Sequence, residues 1–294
     1  GQVEEASPVR QKIGTRSVRK QVRKMGDNSI LIGYDKMRNE VRIDTSSPMR
    51  IGLLAASGSG KSVLLQNIIL MLARQMRNKV QFIGFDPKLT SLFAVEPRFS
   101  VPVFTQPATW LPTMNKIEQI MNDRLAEMKA RGWSKIDPVQ NGDEFPQILV
   151  VVEELPSLIN SSELSKAEQA AIRDWFGSYL RMARAANMGI ITCTQTFDSG
   201  TTVATSVRSQ FNIRMIGRCS MGDANLFCEG QTDKCNVLRL GGPGEFFLAQ
   251  DDFNQWVRFK TWYTDESKIK NMAEAYAVDN RDVGLGWRVA NPFD

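Results

Sequence analysis

Short apolar runs alternate along this chain with longer stretches whose apolar positions return every three or four residues. Ile51–Leu54, Val80–Phe85, Ile148–Val152 and Gly189–Thr194 are continuous apolar runs, the pattern of strands buried on both faces of a parallel sheet. Residues 61–76, about 113–131 and 167–186 carry helical spacing between them. Further strand-like runs are Ile213–Gly217 and Phe246–Ala249. Ahead of all these, Ser29–Asp35 and Glu40–Asp44 flank the turn-like Lys36–Asn39 and predict a hairpin. The alternation predicts an α/β fold: a mostly parallel central sheet flanked by helices, preceded by a small β-hairpin.

Composition narrows the classes of function. The chain has 294 residues, 42% hydrophobic and 23% charged, ordinary values for a globular protein with a sizeable core. No apolar run approaches the ~20 residues that span a bilayer. Gly1 at the start suggests an excised fragment, so an anchoring region could lie outside it. The net charge of +5 is carried by residues 1–24, with seven Lys/Arg against Glu4 and Glu5; the other residues balance. Residues 1–28 therefore read as a basic arm, suited to nucleic acid or an acidic membrane surface, or simply a solvated linker. Histidine is absent, which excludes Ser-His and Cys-His nucleophiles. Cys193, Cys219, Cys228 and Cys235 form no Cys-x-x-Cys pair, so structural zinc is not expected, and free thiols fit a reducing cytoplasm.

The chemistry begins after the first core strand. Residues 55–62 read Ala-Ala-Ser-Gly-Ser-Gly-Lys-Ser, between the apolar run Ile51–Leu54 and the helical run that follows. Strand, glycine-rich turn, Lys-Ser and helix in that order form a phosphate-binding loop. Gly58 and Gly60 let backbone N–H groups turn inward around an anion, and the helix N-terminus faces it. Ser57, Gly58, Ser59, Gly60, Lys61, Ser62 and Val63 are the expected ATP-binding residues, with Lys61 on the β/γ-phosphates and Ser62 on Mg²⁺. The charge of Lys61 is expected to serve phosphate alone. Ala55 stands where the first glycine of the pattern is expected.

A second constellation ends the strand 147–152, where Glu153 and Glu154 are adjacent. In a nucleotide-hydrolysing sheet one such acid holds the Mg²⁺ water shell and the other polarises the attacking water. Strand alternation would point them to opposite sides. Glu153 takes the metal side, one methylene longer than the usual Asp, and Glu154 the water side. Gln195, at the end of the run 189–194, could sense a γ-phosphate and its water.

Five ordered segments over about residues 50–250 resemble the FtsK/SpoIIIE branch of P-loop motor ATPases. They are the loop and helix Leu53–Ile69, Phe85-Asp-Pro-Lys88, Val152-Glu-Glu-Leu155, Ala183-Arg-Ala-Ala-Asn-Met-Gly189 with Thr194-Gln195, and Leu240-Gly-Gly-Pro-Gly-Glu-Phe-Phe247. The resemblance implies a RecA-like core, acting as a homo-oligomeric, hexameric ring around double-stranded DNA. It divides the chain into a basic arm (1–28), a motor domain (29–264) and a C-terminal helix and tail (265–294). It implies ATP hydrolysis with Arg184 reaching a neighbour's nucleotide; Arg214 and Arg218 are rivals for that role. It leaves several settings open: DNA transfer by a conjugative or mobile element, which is favoured, a type VII-like protein secretion ATPase, or a nucleotide-gated assembly module with little hydrolysis. A cytoplasmic site is expected, with a membrane anchor or secretion or conjugation machinery as possible partners. Three positions depart from the family pattern: Ala55 for Gly, Glu153 for Asp, and Asn187-Met188-Gly189 for Gly-Ile-His.

Overall fold

The structure, a computed structural model, describes residues 28–197 and 208–278. The basic arm and the tail fall almost wholly outside these residues. The strands are β1 (Ser29–Tyr34), β2 (Glu40–Asp44), β3 (Arg50–Leu54), β4 (Val80–Phe85), β5 (Gln147–Val152), β6 (Met188–Thr194), β7 (Ile213–Ile216), β8 (Glu245–Gln250) and β9 (Val257–Lys260). They form one sheet in the order β2-β1-β9-β8-β7-β3-β6-β5-β4. The five strands from β7 to β4 run parallel. β8, β9 and the β1–β2 hairpin extend this core antiparallel. The expected hairpin is thus an edge of the main sheet.

Helices cover both faces. On one face α1 (Lys61–Met76) buries Leu64, Leu65, Ile68 and Leu72 against Ile51 and Leu53 of β3 and Phe246 of β8. Ile269 and Ala273 of α6 (Glu266–Ala275) join the same cluster. On the other face lie α2 (Pro107–Ala130), the short α3 (Leu155–Ile159) and α4 (Lys166–Met182), packed on Ile148, Val150 and Ile190. Each fully buried Leu, Ile or Phe contributes on the order of 1.5–3 kcal/mol. The connection between the adjacent antiparallel strands β7 and β8 carries α5 (Met221–Phe227) over a third apolar cluster containing Leu54, Ile216, Phe227 and Phe247.

Helix ends follow local chemistry. α4 starts at a capping box: Ser165 Oγ accepts from the Glu168 N–H, and the Glu168 carboxylate accepts from the Ser165 N–H. α2 starts six residues before the expected 113, at Pro107, and accommodates Pro112 within it. α4 ends at Met182, four residues before the expected 186, because the chain turns through Asn187 at φ 51° into β6. α3, α5 and β9 were not foreseen; each is short and offers only one to three buried side chains.

The parallel register brings the carboxyl ends of β3 to β7 level. Leu54 pairs with Thr194 and Ile216, Val152 with Thr192, and Phe85 with Val152. Asp86, Glu153, Gln195 and residues 55–62 all follow these ends, where open α/β sheets place their ligands.

Candidate active site

The phosphate loop leaves β3 at Ala55, whose N–H bonds to the Thr194 carbonyl at 3.1 Å. Ala55 needs no left-handed backbone. Its methyl fits because Gly217 opposite has none; a Cβ there would stand 2.9 Å from that of Ala55. Gly60 is the N-cap of α1 at φ 86°, a conformation costly for any residue with a Cβ. It also passes so close to residues 243–244 that an added Cβ would lie 2.9 Å from the Gly244 nitrogen.

The loop is clamped from two sides. Ala56 N–H and Ser59 Oγ–H donate to the Arg218 carbonyl, at 2.7 and 3.2 Å. Gly244 N–H donates to the Ser59 carbonyl at 2.9 Å. Ser57 and Gly58 form the exposed crown, Ser59 and Lys61 are buried, and Ser62 and Val63 are half-buried.

Lys61 points to the ends of β5 and β6. Its Nζ lies 3.5 Å from Glu153 Oε1 and 3.7 Å from Glu154 Oε2. Both carboxylates therefore turn toward one ammonium, and the expected opposite facing does not hold where the chain leaves the strand. Their remaining partners separate them. Glu153 Oε1 accepts from Ser91 Oγ at 3.0 Å, and Ser91 Oγ lies 2.6 Å from Ser62 Oγ. Glu154 Oε1 accepts from the Gln195 N–H at 3.3 Å, and its Oε2 is 3.4 Å from Lys88 Nζ.

All three central charges are buried: Lys61, Glu153 and Glu154 are 6%, 3% and 2% exposed. Burial pulls the Lys61 ammonium down, but Cys193, Glu153 and Glu154 together raise it above the ordinary lysine value. Burial in turn pushes the Cys193 thiol up to about 12, against the pull of Lys61. That thiol is neutral at neutral pH, so the two carboxylates are the partners that act on Lys61.

Asp86 was legible only as part of the Asp-Pro-Lys resemblance. Its buried carboxylate accepts the N–H groups of Lys88, Thr90, Ser91 and Leu92, at 3.0–3.3 Å. An Asp after an apolar strand and before Pro is the sequence signal for such a turn. The turn delivers Lys88 to Glu154 and Ser91 to Glu153; the sequence reading named Lys88 only within the Asp-Pro-Lys segment and missed Ser91.

The structure does not bring Arg184 to this site. Arg184 is exposed in the turn before β6, near Arg50, which pairs with Ile190 at the opposite end of the sheet. A five-residue strand at ~3.3 Å per residue puts roughly 16 Å between these ends. The turn itself is firmly held: Arg124 Nη1 donates to the carbonyls of Ala186 and Asn187, at 3.1 and 3.3 Å. Asn187 adopts the left-handed backbone that the family pattern gives to glycine. Gly189 is required by close approach, since a Cβ would lie 2.2 Å from the Met49 carbonyl oxygen. Arg214 is buried, paired with Glu229 at 2.9 Å and stacked on Phe253, which removes it as a rival finger. The exposed Arg218 adjoins the chain's own phosphate loop through its carbonyl.

Comparison with known proteins bears on the family and the fold. DNA translocase FtsK of Leptospira interrogans is 24% identical over 261 residues, covering 84% of this chain and 26% of the relative. DNA translocase SftA of Bacillus subtilis is 29% identical over 254 residues, covering 81% of this chain and 25% of the relative. The chain thus spans about a quarter of the length of these curated relatives. The pCW3 conjugation coupling protein TcpA, solved as a monomer with ATPγS, superposes with a TM-score of 0.71 at 19% identity, covering 87% of this chain and 72% of that one. EssC ATPases 2 and 3 of Geobacillus thermodenitrificans give 0.68 at 14% identity, with 85% and 48% covered. At these identities the structural likeness is one of fold, a P-loop NTPase architecture. The FtsK/SpoIIIE family model matches residues 15–187, more than half of the chain. The chain belongs to the FtsK/SpoIIIE family.

Proposed function

We propose that this chain is the ATP-hydrolysing motor of a DNA translocase, working as a ring of identical subunits on double-stranded DNA in conjugative or mobile-element transfer. The observation that carries the reading is the convergence of Lys61, Glu153 and Glu154 at the mouth of a phosphate loop. Family membership supports it, as do the names of its curated relatives, which are DNA translocases.

In this reading residues 57–63 cradle the ATP phosphates, and Lys61 leaves its two acids to meet the β/γ-phosphates. Ser62 and Glu153 would hold Mg²⁺, partly through water. Their hard oxygen donors suit that ion, and Glu153 Oε2 is buried without a hydrogen-bond partner. Mg²⁺ bound there neutralises charge on the phosphates. Glu154, steadied by Lys88 and the Gln195 N–H, polarises the attacking water, and Gln195 senses the γ-phosphate. Arg184, at the far end of its own sheet, acts on a neighbour's nucleotide. A finger supplied in trans stabilises the charge of phosphoryl transfer and makes firing depend on assembly.

The basic arm and ring interior contact DNA phosphates without reading bases, so binding is steeply salt-dependent and tolerant of sequence. Among the described residues no helix is long and apolar enough to cross a membrane. We place the motor on the cytoplasmic side of whatever machinery it serves.

Steady-state phosphate release tests the assignment. The parent protein should turn over ATP, and Glu154→Gln should bind ATP with similar affinity while losing roughly 100-fold or more in turnover. A parent that binds ATP without releasing phosphate would instead identify a nucleotide-gated assembly module, consistent with Glu153 in place of Asp.

A further inference from the structure

Ser91 lies outside the phosphate loop and the paired acids, yet its hydroxyl is interposed between them. It is 2.6 Å from Ser62 Oγ and 3.0 Å from Glu153 Oε1, and the residue is 1% exposed. A carboxylate accepts hydrogen bonds and each hydroxyl has one proton to give. The bonds therefore run one way: Ser62 Oγ–H donates to Ser91, and Ser91 Oγ–H donates to Glu153. Ser62 thereby spends its proton inside the protein, which leaves lone pairs for the phosphate side.

The placement of Ser91 is fixed independently of this contact. Asp86 Oδ2 accepts its N–H at 3.1 Å, and Gln66 Nε2 donates to its carbonyl at 2.7 Å. Gln66 belongs to α1, the helix that carries Ser62. The Ser91 hydroxyl is thus held by both the loop helix and the turn after β4. Glu153 needs such a fixture, because its longer side chain has more rotamers than an Asp and Lys61 competes for the same Oε1 at 3.5 Å.

We propose that Ser91 is a positioning residue for the metal side of the site: a hydroxyl relay from Ser62 through Ser91 fixes Glu153 Oε1 beside Lys61 and orients Ser62 toward Mg²⁺. The proposal rests on the nucleotide-binding reading above.

The test is equilibrium binding of a fluorescent ATP analogue to the full chain, titrated with Mg²⁺ from a chelated start. In the parent, Mg²⁺ should tighten binding. In Ser91→Ala the Mg²⁺ concentration for half of that tightening should rise roughly 10-fold or more, the scale on which outer partners of metal ligands act. Ser91→Cys, which keeps the shape but offers only a weak donor, should shift the same way and decides the matter if Ser91→Ala folds poorly. Adding Glu153→Asp to Ser91→Ala should cost less than in the parent, because the relay is already broken. A purely structural serine would lower thermal stability and leave the Mg²⁺ midpoint in place. Unmoved midpoints in both Ser91 variants, with a parent that responds to Mg²⁺, would overturn the relay alone. A parent that binds the analogue but is indifferent to Mg²⁺ would overturn the relay, and a parent that does not bind the analogue at all would overturn the nucleotide reading and the relay with it.

Discussion

Gly244 donates its backbone N–H to the Ser59 carbonyl at 2.9 Å, which fastens the glycine-rich turn 241–244 onto the phosphate loop just past its exposed crown. Gly244 sits at φ 83°, and Thr261 N–H closes the clamp on the Gly244 carbonyl at 2.9 Å. The two ends of the excursion from β7 to β8 thus hold the same loop, one through Arg218 and the other through Gly244. Gly244→Ala must adopt a left-handed backbone at a cost of about 1–2 kcal/mol. We expect a lower thermal midpoint and at least a severalfold loss of ATP affinity. Full ATP affinity with reduced stability would show that the clamp does not shape the loop.

Besides the phosphate role proposed for it, Lys61 has a structural one. It balances Glu153 and Glu154, so the sequence-based expectation that its charge serves phosphate alone is too narrow. Lys61→Met should abolish tight ATP binding and should also destabilise the nucleotide-free protein, by about 3 kcal/mol, because it leaves two buried carboxylates facing each other. The pH dependence has a definite sign. The ammonium is raised in the folded state, so its contribution is complete below the ordinary lysine value of ~10.4 and is lost as pH rises through the higher folded value. Denaturation of parent and variant should show a constant gap between pH 7 and 9 that narrows in strong alkali. No gap at pH 7 would contradict the ion-pair account.

Arg124 supports the turn that carries Arg184. Burial lowers its guanidinium to about 10, with a smaller opposing effect from Tyr179, and the carbonyls of Ala186 and Asn187 accept its bonds. Arg124→Ala should cost about 3 kcal/mol in stability through a cavity and two stranded carbonyls. If Arg184 acts in trans, the variant should also lose ATP turnover while ATP binding persists. Turnover that survives at temperatures where the variant is folded would separate the turn from catalysis.

Arg184 itself is tested by mixing. Arg184→Ala and Glu154→Gln should each be inactive alone and partly active together, since one interface in the mixed ring pairs an intact Glu154 with an intact Arg184. Specific activity of the parent should rise with protein concentration. Activity independent of concentration, with no recovery on mixing, would place the finger elsewhere, with Arg218 as the remaining exposed arginine at a strand end.

The parts of the site that were legible in the sequence are those whose chemistry is local. Gly58, Gly60, Lys61 and Ser62 lie close together in the chain because a loop suited to wrapping one anion is a local structure. Glu153 and Glu154 stand out because two acids end an apolar run. Lys88 was legible only within the Asp-Pro-Lys resemblance and without a role, and Ser91 was illegible because only the Asp86 turn brings it in and an isolated serine in a loop carries no period. The same holds for tolerance of departures. Ala55 is explained by Gly217, 162 residues away in the chain, and Asn187 by a left-handed backbone angle together with a buried side chain whose Nδ2 donates to the Phe145 carbonyl at 2.8 Å. The parallel core was readable from its apolar runs. β9 was not, since Phe259 is the one buried side chain among its four residues.

The central claim is that ATP hydrolysis at this site is coupled to duplex DNA. Steady-state phosphate release with and without double-stranded DNA of unrelated sequences, at low salt and at protein concentrations that allow assembly, tests it most directly. We predict stimulation of about tenfold or more that is similar for different sequences and fades as salt rises. Hydrolysis that proceeds unchanged by any duplex would contradict the account and point to a motor that moves polypeptide.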